Sequence, residues 1–235
     1  DYPLLSAKEL TVWDDAHPRP ASGDEVERQT LRWRTEDSRR QLAALRPADA
    51  AGLGRYRAVV GRGWEAILGR GVPAPAEVAF AETSRTPAGG YVTLTGLVRC
   101  AGRGEEVPVV LLEPTAGARR VVLWLHRDGK AGLFQADGRA RPEVGQLLDA
   151  GVAVAGVDLL FQGEFLADGT PITETRKVKN PREAAAYTFG YNHTLFAQRV
   201  HDVLSAIAGL KQADARLTEV WLVALDGAGP WGAVA

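Results

Sequence analysis

Near its carboxyl end the chain carries Ala224-Leu225-Asp226-Gly227-Ala228, a carboxylate with alanines two positions before and two after it. That spacing suits a strand turning sharply into a helix, because larger side chains would collide there while the central residue is pushed out at the tip. Serine is the familiar occupant of such a tip. Here the residue is Asp226, and a carboxylate can attack as a covalent nucleophile. The competing reading is that Asp226 caps the following helix, whose exposed amides suit a negative charge. Pro230 at an early helical position and bulky Trp231 behind it favour the cap, and predict a cleft blocked by Trp231.

Two other loops hold reactive residue types. Leu125-His126-Arg127-Asp128-Gly129-Lys130 follows one apolar run, and Asp158-Leu159-Leu160-Phe161-Gln162-Gly163 follows another. His126 reads either as a group in the chemistry or as a half-buried pin between two loops, and Asp158 reads as structural. His193 and His201 stand eight residues apart in one helical pattern, about two turns, so they could share a face. Without carboxylates at matching spacing they make a weak metal pair, and Asp202 beside His201 points elsewhere on a helix. No metal and no cofactor is expected.

The elements that must position these loops follow from periodicity. Val78 with Phe80, Tyr91 to Val98 and Val107 to Leu112 are β-rich runs between Gly and Pro clusters, the pattern of an antiparallel set. Val121 to Leu125, Val152 to Val157 and Val220 to Leu225 are continuous apolar runs, as in strands buried on both faces. A short helix with Pro142 near its start and Gly151 as its cap joins the first two into a βαβ unit. A helix from Asn192 to Leu210 carries Leu195, Val203 and Ile207 in one stripe. The three runs are predicted to be neighbours in one parallel sheet, whose ligands bind outside the carboxyl ends of the strands. The fold class is α/β, mostly parallel after antiparallel first strands.

Ahead of this, residues 1–75 read as a helical segment. Ser22 with Glu25 has capping-box spacing for a helix to Leu45, a second helix covers Tyr56 to Leu68, and Trp13 is the expected docking residue of a polar loop. Residues 76–235 then form the second domain. Within it, 161–191 is too long for a plain connection and reads as a lid-like insertion. Phe161, Gln162, Tyr187 and Tyr191 are its substrate-facing candidates, Arg176, Lys177 and Lys179 supply positive charge, and residues 166–180 are expected to be the most mobile. Packing of the aromatics onto the domain is the alternative.

Composition excludes several classes. The 235 residues carry Lys+Arg 28 against Asp+Glu 29, a net charge of -1, so no basic field draws the chain to nucleic acid or to anionic membrane. No apolar run approaches the roughly 20 residues that cross a bilayer. The single cysteine, Cys100, rules out an internal disulfide and a multi-cysteine zinc site. No methionine occurs, position 1 included, so the expected start lies within a longer precursor, behind a signal peptide or another domain, and a secreted or periplasmic location is favoured.

The antiparallel opening, the strand ending in His126, the strand ending in Asp158 before Gln162-Gly163 and the Gly-rich turn at Asp226 together resemble the α/β-hydrolase fold, and within it the acetylxylan-esterase-like bacterial proteins. The resemblance covers about Val107 to Ala235. It implies a carboxylic-ester hydrolase, a small ester or acetylated sugar as substrate, and an adjoining hydrolase domain as a possible partner. It assigns the nucleophile position to Asp226 and the oxyanion or cleft positions to His126, Arg127, Gly129 and Gly227, with Arg127 standing where the family has glycine. In the family's chain order the acid and the histidine follow the nucleophile. The chain ends nine residues after Asp226, so the expectation is an α/β-hydrolase-like domain represented by its N-terminal part, or a catalytically inactive relative serving binding or scaffolding.

Overall fold

Alternate residues of the central strands point to opposite faces of one sheet, and each face has its own core. In the computed structural model, which describes residues 3–21, 23–168, 170 and 189–235, Val109, Leu111, Val121, Leu123 and Leu125 belong to one core and Val110, Leu112, Val122 and Trp124 to the other. The sheet has six strands, β1 (Ala79–Ala88), β2 (Tyr91–Cys100), β3 (Glu105–Pro114), β4 (Arg120–Leu125), β5 (Ala153–Val157) and β6 (Glu219–Ala224), in the order β1-β2-β3-β5-β4-β6. The β1-β2, β2-β3 and β3-β5 pairs are antiparallel, while β4 runs parallel to both β5 and β6. The three apolar runs are therefore parallel neighbours, but only β4 and β5 are buried on both faces: β6 ends the sheet among the described residues and leaves Trp221 and Leu222 exposed, so its expected two-sided burial fails. Val121 pairs with Ala153 on one side and Val220 on the other, so the three carboxyl ends emerge on one edge.

The chain separates into two compact units, Asp1–Arg62 and Gly63–Ala235. The first contains α1 (Ala7–Leu10), capped by Ser6, the long exposed α2 (Gly23–Ala44), and α3 (Ala50–Tyr56), whose cap Asp49 accepts from the Gly52 amide. The expected Ser22 cap of α2 lies outside the described residues. The second helix begins earlier than Tyr56, because Asp49 supplies the start signal, and it continues through a π turn at Arg57–Gly61 into α4 (Arg62–Leu68). The second unit starts ahead of the proline connection at 73 and 75, since Leu68 is buried against Ala197, Val200 and Leu204.

In that unit α5 (Pro142–Asp149) covers one face of the sheet through Val144 and Leu148. Helix α6 (Leu195–Ala213) and the short α7 (Gly229–Val234) lie on the other, with Val203, Ala206 and Leu210 in its core. Thr194 starts α6 by accepting from the Ala197 amide, so His193 stands just outside the helix instead of sharing a face with His201. Among the described residues no helix is long and apolar enough to cross a membrane.

Candidate functional site

The loops after β4 and β5 are tied together by Asp158, whose carboxylate is 1% exposed. Its Oδ1 accepts from the Lys130 amide at 2.9 Å, and its Oδ2 accepts from the Lys130 ammonium at 2.6 Å and from the Glu164 amide at 3.0 Å. The same ammonium also meets Glu164. Backbone packs so closely around this group that a Cβ on Gly129 or on Gly163 would sit 2.2 Å from a carboxylate oxygen, and both glycines have positive φ. Asp158 is thus a structural knot, and Gly129 is shaped by it: its amide donates to the His126 carbonyl within the turn and does not face a ligand.

Helix α6 holds the rest of the β5 loop. Arg199 donates through Nε to the Leu160 carbonyl at 3.0 Å and through Nη2 to the Phe161 carbonyl at 3.4 Å, while Asp202 accepts from the Leu160 amide at 2.7 Å. Phe161 is kept at φ 60, where a bulky residue is strained. Burial pushes the Asp202 carboxyl up to about 7, because the ionised form loses its water, and burial likewise lowers Arg199. Gln162 contributes a second clamp: its Oε1 accepts from the Leu159 amide, and its Nε2 donates to the carbonyls of His126 and Arg127 at 3.2 and 2.8 Å.

Beyond these clamps lies an open cleft of about 650 Å³ lined by Arg127, Phe161, Gln162, Arg199, Asp226 and Trp231, among others. Asp226 sits at the tip of the β6–α7 turn with φ 47, followed by Gly227 at φ 88. The turn is as sharp as its flanking small residues require, and Ala228 is fully buried. The capping expectation fails: α7 begins at Gly229 behind Ala228, with no side-chain hydrogen bond at its N-terminus. At positive φ the side chain is thrown forward, where its Oδ2 lies 3.7 Å from Arg127 Nε and 3.9 Å from His126 Nε2. Trp231 does not block the cleft either. It forms one wall, with the Arg199 guanidinium 4.7 Å above its ring.

His126 is only 9% exposed, beneath Asp226. The Asp128 amide donates to its Nδ1 at 3.2 Å, which assigns the lone pair to Nδ1 and the ring proton to Nε2. His126, Asp128 and Asp226 offer ligand atoms within 4.8 Å of one another. The donor set fits a cation poorly, because the imidazole lone pair is already engaged and the Arg127 guanidinium stands beside Asp226.

The structure brings Asp226, Gly227, Arg127, Phe161 and Gln162 to one cleft, with His126 below it, and draws Gly129 away. Tyr187 and the charges at Arg176, Lys177 and Lys179 lie outside the described residues, as does most of the 166–180 segment. Tyr191 is almost fully exposed and does not line the cleft. His193 and His201 do meet, ring edge to ring face at 4.9 Å, although His201 Nε2 donates to the Leu68 carbonyl at 2.6 Å. Arg199 is the residue that sequence reasoning missed, and Asp202 was weighed only as a neighbour of His201. Their signal was a charge just before Val200 and another just before Val203 in a helix otherwise read for its apolar stripe.

No family model matches the chain, and no curated protein matches it by sequence. Among solved structures it is similar to acetyl xylan esterase 1 of Thermoanaerobacterium sp. JW/SL YS485, at 13% identity and a TM-score of 0.47, over 74% of this chain and 52% of that one. It is also similar to a Bacteroides fragilis NCTC 9343 protein described as a candidate acetyl xylan esterase. There the identity is 13% and the TM-score 0.53, over 95% of this chain and 59% of that one. The chain spans somewhat more than half the length of these structures. The second likeness shows the fold: a mixed six-stranded sheet with helices around it, of the α/β-hydrolase-like kind.

Proposed function

We propose that the cleft beside Asp226 is the reaction site of a carboxylic-ester hydrolase acting on acetylated carbohydrate, with Asp226, at the nucleophile position, as the reacting group. One observation carries this reading. Among the described residues only Phe161 and Asp226 are non-glycine residues at positive φ, and both line the same cleft. Backbone strain of this kind costs about 1–3 kcal/mol per residue and persists where the surrounding structure over-determines it, typically at working sites. The aromatic faces of Phe161 and Trp231 suit a sugar ring, and Arg127 with Asp226 supplies a polar rim for hydroxyls. The name of the Bacteroides fragilis fold neighbour agrees with that substrate class.

The chain should release acetate from acetylated xylo-oligosaccharides, and Asp226→Asn should abolish the release while the circular dichroism spectrum is unchanged. No release by the unaltered chain, or undiminished release by Asp226→Asn, would overturn the proposal. A second reading, a cleft that binds without turnover and serves an adjoining hydrolase domain, is favoured by one feature: His126 presents a proton donor and not a base. Calorimetric binding of the same oligosaccharide without acetate release would select it.

A further inference from the structure

We infer that Asp226 acts as a general base on a water held between its carboxylate and the His126 imidazole, and forms no bond to the acyl group. The inference rests on the esterase reading above and assigns the chemistry within it. His126 Nε2 and Asp226 Oδ2 are 3.9 Å apart, too far for a direct hydrogen bond, and nothing else among the described residues bonds to either atom. One water oxygen placed about 2.8 Å from each bridges them. The polarities match such a water. Because the Asp128 amide occupies Nδ1, His126 offers Nε2–H as a donor, while Asp226 offers an acceptor. The water then accepts from His126 and donates to Asp226, which leaves a lone pair free to attack. The ring retains a small exposure, 9%, so the position is reachable.

The same tautomer disfavours a covalent route. An aspartyl-acyl intermediate is an anhydride, and a base must activate a second water to resolve it. His126 in this tautomer is no base, and His193 and His201 do not line the cleft. With Asp226 as the base the atoms balance without a co-reactant. The water oxygen bonds to the acetyl carbonyl carbon as its proton passes to Asp226. The ester C–O bond then breaks, and the departing sugar alkoxide takes that proton back, leaving acetic acid, the free hydroxyl and the original carboxylate. Arg127, 3.7 Å from Oδ2, steadies the carboxylate throughout.

The test is many turnovers of acetylated xylo-oligosaccharide in ¹⁸O-water, with mass spectrometry of the acetate and of the peptide containing Asp226, and a parallel reaction quenched with hydroxylamine. The expected result is label in acetate, none in Asp226 and no Asp226 hydroxamate. His126→Ala should lower kcat about 10²-fold with little change in KM, and His126→Gln, which keeps a donor, should recover part of it. Label or hydroxamate at Asp226 would overturn the general-base role while leaving the esterase reading intact. No acetate release would overturn both. Should the His126 variants fail to fold, hydroxylamine trapping of the unaltered chain decides, since an anhydride opened by water at its acetyl carbon would also leave Asp226 unlabelled.

Discussion

Asp158 and Asp226 follow β5 and β6, the two parallel strands that flank β4, at the same edge of the sheet, yet they live in opposite worlds. Asp158 is buried and receives two amides and an ammonium, with glycines cut away around it. Asp226 is about half exposed, takes no hydrogen bond from the described residues, and sits at strained positive φ in a cleft. A carboxylate whose acceptor capacity is filled by its own fold stabilises that fold. One held at a conformational cost with its oxygens unfilled is available to something else.

The largest effect that tests this contrast is at the knot. Asp158→Ala should destabilise the second unit by about 3–5 kcal/mol, since it strands the Lys130 and Glu164 amides and a partly buried ammonium. Urea unfolding measures it, and a loss below about 1 kcal/mol would show that the saturated contacts are ornamental. An intermediate effect belongs to Asp202, which supports the strained loop from α6. Its folded pKa, about 7, lies above its ordinary value of 3.8, so the folded state binds the proton more tightly. This contribution is fully present below about pH 4 and is lost as pH rises through 7. Asp202→Asn should therefore flatten the decline in unfolding midpoint between pH 4 and 7 relative to the unaltered chain, and an unchanged slope would refute the buried-acid account. The smallest effect has the opposite sign to the first. Asp226→Gly should stabilise the protein by about 1 kcal/mol by relieving positive φ, while removing activity. A loss of stability on that change would mean that Asp226 is structural after all.

The β4 and β5 strands and the elbow-like turn were legible because they depend on local rules, unbroken apolar runs for two-sided burial and small residues where strand meets helix, whereas the same kind of run in β6 lies at the end of the sheet with Trp221 and Leu222 exposed. The direction of the Asp226 side chain was not legible. Cap and cleft readings share the same Asp-Gly-Ala-Gly-Pro stretch and differ only in one backbone angle, which the packing of Ala228 and Trp231 under the turn decides. The role of Gln162 was hidden for a similar reason, since its partners at His126 and Arg127 lie 36 and 35 residues away.

What the sequence determined by itself is the α/β alternation, the three loops at the carboxyl ends of the parallel strands, and a carboxylate at the tip of the third. Periodicity and side-chain size are properties of neighbours along the chain. Only the tertiary structure decided which of two aspartates is satisfied, which imidazole nitrogen carries the proton, and that α6 reaches across with Arg199 and Asp202 to hold Phe161 in strain. Those outcomes depend on hydrogen-bond geometry between residues far apart in sequence, which no local pattern encodes.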